Sequence, residues 1–165
     1  MKFRQIKLGL FPALFLCGMC LAQGPIQPVQ WSSAASPKGP LKPGNKIAIE
    51  LSAEIQDGWH VYGFTQVAEG PTPLRVSLDE NGTAQAVGPA TGSAPVKKHD
   101  ASFNLDTEGY SHLFSIHLPV QVKQQASKGD QSIPVSVRFQ ACNDRICLPP
   151  RTVHLTVPVE VLPGT

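Results

Sequence analysis

Cys142 and Cys147 are the residues best suited to chemistry, in the run Phe139-Gln140-Ala141-Cys142-Asn143-Asp144-Arg145-Ile146-Cys147-Leu148-Pro149-Pro150. Two thiols this close can exist as a dithiol or a disulfide without rebuilding the fold, which is what a carrier of two electrons requires. As a staple the pair is poor, because closing so short a loop restrains the unfolded chain by only about 2 kcal/mol on the chain-entropy estimate. A disulfide needs Cα atoms roughly 4.4 to 6.8 Å apart, which the two ends of a tight turn satisfy. Spacing leaves two readings open: an exchange pair, or a structural bond closing a hairpin of the kind common in exported domains. A metal centre is not expected, since structural zinc takes four close ligands and the five histidines are scattered with no Cys-Cys-His spacing. No cofactor is expected either.

The start of the chain bears on which thiols count. Lys2, Arg4 and Lys7 precede an apolar stretch from Leu8 to Leu21, and Cys20-Leu21-Ala22 offers small residues for cleavage. Residues 1–22 therefore read as a secretory signal cut after Ala22, which implies an exported mature protein. The Cys17-x-x-Cys20 pair falls inside that segment and is discounted as a redox motif. The residues before Cys17 and Cys20 fit a lipoprotein signal poorly. Nothing later is apolar for the ~20 residues of a spanning helix, so no integral membrane span is expected in the mature chain.

The full chain has 14 Lys and Arg against 12 Asp and Glu. Removing three basic residues leaves 14 − 3 = 11 against 12, and with no basic run nucleic-acid binding has no electrostatic footprint. The remaining 165 − 22 = 143 residues suit one domain with its own core. Sixteen prolines and 14 glycines, spread along the chain, leave little room for long helices and favour strands joined by turns.

The elements that must position the cysteines follow from the alternation of apolar residues. Residues 23–44 are rich in Pro, Gly and Ser and read as a flexible leader, with Trp31 as an exception expected to lie in a first strand or a patch packed on the domain. The domain itself is read as 45–162. Ile47, Ile49, Leu51, Ala53 and Ile55 face inward, Asp57-Gly58 turns the chain, and Trp59 to Tyr62 begins a second strand. Leu74 to Leu78 is a third, closed by Glu80-Asn81-Gly82. The stretch from Thr83 to His99 predicts at most one short strand, around Ala84 to Val87. Phe114, Ile116, Leu118, Val120 and Val122 then alternate cleanly, and Pro119 on the outward parity predicts an edge or a bulge. Ile133 to Ala141 and Val153 to Val161 are strands on either side of the thiols, which places Cys142 and Cys147 at a sheet end where a hairpin reverses. About seven short strands predict an all-β, immunoglobulin-like antiparallel two-sheet sandwich, without the widely spaced intersheet disulfide of many such domains.

Four segments together carry a resemblance: Asp57-Gly58-Trp59-His60-Val61-Tyr62, Gly70-Pro71-Thr72-Pro73-Leu74, Leu118-Pro119-Val120, and Cys142-x4-Cys147-Leu148-Pro149-Pro150. Over about Asn45 to Leu162 the chain resembles the family of the amino-terminal periplasmic domain of the thiol:disulfide interchange protein DsbD. The resemblance implies periplasmic thiol:disulfide exchange through Cys142 and Cys147, with Cys147 forming the mixed disulfide and Cys142 resolving it. It implies a thioredoxin-like domain or a membrane electron conduit as donor and oxidised periplasmic thiol proteins as acceptors. It also implies that His60 and Tyr62 line the thiol site and that an aromatic-tipped loop caps it, with Phe103 as the candidate tip. For His60 and Tyr62 the plainer reading, a half-buried pair at a sheet edge, stays open. So does a noncatalytic immunoglobulin-like binding module for the whole chain.

Two departures accompany the resemblance. This chain has four residues between the cysteines where the best-known members have five, and no membrane conduit or thioredoxin-like domain follows in it, so the donor is expected to be a separate protein. With no helix terminus at hand, and with Asp144 beside Arg145, the thiols are expected to be weakly activated, leaving selectivity to docking.

Overall fold

The computed structural model describes Gly24 and residues 26–164; the segment read as a signal, with Cys17 and Cys20, lies outside the described residues. The described residues are all-β and carry no helix, and so none long and apolar enough to cross a membrane. Twelve strands follow in order: β1 Val29–Ser36, β2 Lys46–Ile55, β3 Trp59–Tyr62, β4 Arg75–Leu78, β5 Ala84–Ala86, β6 Thr91–Gly92, β7 Val96–Asp100, β8 Leu105–Tyr110, β9 Leu113–Val122, β10 Gly129–Phe139, β11 Ala141–Asn143 and β12 Arg151–Val161. They form three antiparallel arrays: β1-β2-β9-β5 with β6 also on β9, β12-β10-β4, and β11-β3-β8-β7. Together they make an immunoglobulin-like sandwich. The second and third arrays are joined by the chain itself, since β10 passes through Gln140 into β11.

The alternation explains the core. Ile47, Ile49, Leu51, Ala53 and Ile55 of β2 and Phe114 to Val122 of β9 bury their apolar parity against Ile133, Val135, Val137 and Phe139 of β10. Strand β12 joins the core most fully at Val157, Val159 and Val161, while Val153 and Leu155 nearer the cysteines are partly buried. Full burial of each such side chain is worth about 1.5–3 kcal/mol, so these strands hold the sandwich together. Trp31 packs against Phe114 and Phe139, with ring centroids 5.5 Å away in both cases, and Tyr110 stacks on Phe114 at 4.2 Å.

Three expectations are corrected here. The segment read as a leader contains β1, whose eight residues pair in register with β2 from Val29↔Ile55 to Ser36↔Ala48. The fold therefore starts well before Asn45. The stretch beyond Thr83 holds three strands, β5, β6 and β7, of which β7 pairs with β8 in a hairpin. Pro119 lies inside β9, flanked on both sides. Its carbonyl accepts from Val87 N–H, and the side to which its missing N–H would point is where β5 has ended and β6 has not begun. An interrupted neighbour thus serves where an edge or bulge was expected.

Candidate functional site

Strand β3 builds one wall. Gly58 has φ +79°, a conformation that favours glycine, and it turns the chain from β2 into β3. Along β3, Val61 faces the main core while His60 and Tyr62 share the opposite parity. Strand β11 pairs Ala141 with Val61 and Cys142 with His60, so Cys142 also points away from the core. Yet Tyr62 and Cys142 are both fully buried. A second, smaller buried compartment therefore exists on the outer face of this array.

The cover is the β7–β8 hairpin. Strand β8 pairs with β3 at Val61↔Tyr110 and Tyr62↔Gly109, and a Cβ on Gly109 would meet the Val61 carbonyl oxygen at 3.0 Å, so the close approach suits glycine. At the end of β7, Asp100 is buried and uses both carboxylate oxygens. Oδ2 accepts the Tyr62 hydroxyl at 2.6 Å. Oδ1 accepts the N–H groups of Ser102 at 2.8 Å and Phe103 at 3.3 Å, which fixes the hairpin turn. Phe103 in that turn sets its ring edge-on to Tyr62, with centroids 6.0 Å apart, and His60 meets Tyr62 likewise at 5.1 Å.

Cys142 and Cys147 are joined by a disulfide, with Cα atoms 4.1 Å apart. The two residues differ in burial: Cys142 is fully buried and Cys147 half-buried. Between them Asp144, Arg145 and Ile146 are exposed. The Tyr62 hydroxyl oxygen lies 3.9 Å from Cys147 Sγ. A groove of about 540 Å³ opens beside the pair, with His60, Lys98, Asp100, Asn143 and Asp144 among its walls.

Charge in this compartment is arranged around Asp100. Burial pushes its carboxyl up, but the Tyr62 hydroxyl, the two turn N–H groups and nearby His60 together outweigh burial and hold it below the usual carboxylate value. Burial lowers His60, and Asp100, with Nε2 3.6 Å from Oδ2, only partly opposes that. Burial first, and then the bond to Asp100, push the Tyr62 phenol far above its ordinary range, so it keeps its proton. With that proton committed to Asp100, the tyrosine presents oxygen lone pairs to the sulfur.

The structure thus brings His60, Tyr62, Phe103, Cys142 and Cys147 into one constellation and adds Asp100, which sequence reasoning passed over. The only signal for Asp100 was an Asp-x-Ser turn pattern at the end of a charged run, and such runs are usually solvated.

An antiparallel β-sandwich with a cysteine pair at one sheet end, beside a hairpin packed on Tyr62, defines a class suited to sulfur exchange. The chain belongs to the DsbD amino-terminal domain family: the model described as "Thiol:disulfide interchange protein DsbD, N-terminal" matches residues 27–158. No curated protein matches the chain. Among solved structures it is similar to the DsbD n-terminal domain of Neisseria meningitidis in the reduced form, at 16% identity and TM-score 0.48, covering 68% of this chain and 78% of that one. It is also similar to the N-terminal periplasmic domain of ScsB from Proteus mirabilis, at 15% identity and TM-score 0.46, covering 80% of this chain and 45% of that one.

Proposed function

We propose that this chain is a periplasmic thiol:disulfide exchange protein that relays two electrons at a time through Cys142 and Cys147, from a thioredoxin-like donor or a membrane electron conduit to oxidised exported proteins. One observation carries the reading beyond family membership: a fully buried cysteine bonded to a half-buried one, outside the main core and beside a hairpin packed on Tyr62.

In the loading direction a donor thiolate attacks Cys147 Sγ. The Cys142–Cys147 bond breaks, Cys142 leaves as a thiolate and takes up a proton, and a donor–Cys147 mixed disulfide forms. The donor's second thiolate then attacks its own bonded sulfur and releases Cys147, which is protonated in turn. The donor dithiol is oxidised to a disulfide and the pair gains two electrons and two protons. In the unloading direction the Cys147 thiolate attacks an acceptor disulfide, and Cys142 attacks Cys147 to release the reduced acceptor and restore the bond.

Burial supports the division of roles: Cys147, half-buried, is the cysteine that a docked protein attacks or is attacked by, and Cys142, fully buried, resolves the mixed disulfide. The hydroxyl oxygen of Tyr62, with the Asp100 charge behind it, accepts from a Cys147 thiol and opposes a thiolate, so the reduced pair reacts slowly until a partner displaces the hairpin turn. Phe103 is the cap's tip, and His60 and Tyr62 form the wall beneath it.

The test is trapping. Cys142→Ser, incubated with a thioredoxin-like protein that keeps only its attacking cysteine, activated as a mixed disulfide with a small thiol, is expected to accumulate a covalent complex through Cys147, whereas Cys147→Ser accumulates none. Equal trapping by both variants would contradict the assignment, and no trapping by either would favour a structural hairpin bond.

A further inference from the structure

The turn between the cysteines is held by hydrogen bonds that do not depend on sulfur. Asn143 N–H donates to the Ile146 carbonyl at 2.9 Å, and Leu148 N–H donates to the Ala141 carbonyl at 2.9 Å. The Asn143 side chain adds two more: its Oδ1 accepts from both Arg145 N–H and Ile146 N–H, each at 2.9 Å. Outside the turn, Gln140 Nε2 donates to the Leu148 carbonyl at 3.3 Å while its Oε1 accepts from Thr72 N–H at 2.8 Å. The half of the turn that follows Cys142 is therefore gathered on one amide oxygen, and the residue after Cys147 is tethered to the sandwich.

We infer that Asn143 is a positioning residue that sets the reduction potential of the pair, by keeping the turn folded when the disulfide is open. The inference rests on the exchange reading and extends it to the residue that tunes it. When the bond is closed, sulfur itself restrains the turn, and the loss of two hydrogen bonds changes its order little. When the bond is open, the two Asn143 side-chain bonds restrain the turn beside its two backbone bonds and the Gln140 tether. Without them the two thiols explore more space, closing the ring costs more conformational entropy, and the dithiol is favoured. Arg145 and Ile146 are exposed, so the freed N–H groups turn to water and the fold survives.

The experiment is equilibration of the full chain with glutathione buffers of graded composition, with the closed fraction read by alkylation and mass. Asn143→Ala is expected to lower the closure constant about tenfold, which is a rise of about 30 mV in potential. Asn143→Asp, which keeps the accepting oxygen, should stay within about twofold of the parent, since a net charge on an exposed turn is screened. A closure constant for Asn143→Ala equal to the parent's would overturn the inference while leaving exchange intact. A parent pair that stays closed across the whole range of buffers would overturn the exchange reading and this inference together.

Discussion

Asp100 is the side chain on which the small compartment depends, because one carboxylate fixes Tyr62 with one oxygen and the turn carrying Phe103 with the other. Together with His60 it also gives the site a defined response to acid. In the unfolded chain His60 binds its proton near 6.5, and in the fold burial lowers that value, so the fold's stability is full above 6.5 and falls as pH drops from there toward the folded value. Asp100 acts at lower pH: its folded value lies below 3.8, so its contribution is present above 3.8 and is lost as pH falls through the folded value. Denaturant unfolding of His60→Gln across this range is expected to show a shallower fall just below pH 6.5 than the parent shows. An unchanged slope would mean that another group governs that limb.

On the proposed reading, the β7–β8 hairpin, packed on Tyr62, guards the sheet end that carries the cysteines. Oxidation of the reduced pair by a small disulfide such as hydroxyethyl disulfide should be about tenfold faster in Phe103→Ala, and faster also in Asp100→Asn, with the far-ultraviolet spectrum unchanged. Rates equal to the parent's would show that the hairpin shields nothing. This element was also the least legible in the sequence, for a physical reason. Strands are read from alternation, and alternation marks a face buried in a large core. Val96-Lys97-Lys98-His99-Asp100 and Leu105-Asp106-Thr107-Glu108-Gly109-Tyr110 bury only a few side chains against a small compartment, so most of their positions are free to be polar. Strand β1 was legible only through Trp31, as one of two readings of that residue, for a related reason: apart from Val29 and Trp31 it consists of Gln, Ser and Ala, and its pairing with β2 rests on backbone bonds that composition does not reveal. Strands β2, β9, β10 and β12, which fill the main core, were legible in their facing as well as their place.

At the scale of the whole molecule the sandwich supplies rigidity and the cysteine end supplies chemistry, and the two are buried separately. Ile116, Val135 and Val137 hold the layers together in the main core, while Cys142, Tyr62 and Asp100 are buried outside it. The cysteine turn and the positions of His60 and Tyr62 were readable because their sequence neighbours are distinctive; Asp100 was not, because its burial comes from strand pairing across the hairpin and from Tyr62, 38 residues away. On the proposed reading, this separation lets the disulfide open and close without disturbing the main core. The most direct test is to incubate the oxidised full chain with a reduced thioredoxin-like protein, quench with an alkylating agent and weigh the product. Two added alkyl groups on the pair, with the donor oxidised in equal amount, is the predicted result; a mass that never changes, with the donor still reduced, would contradict the relay.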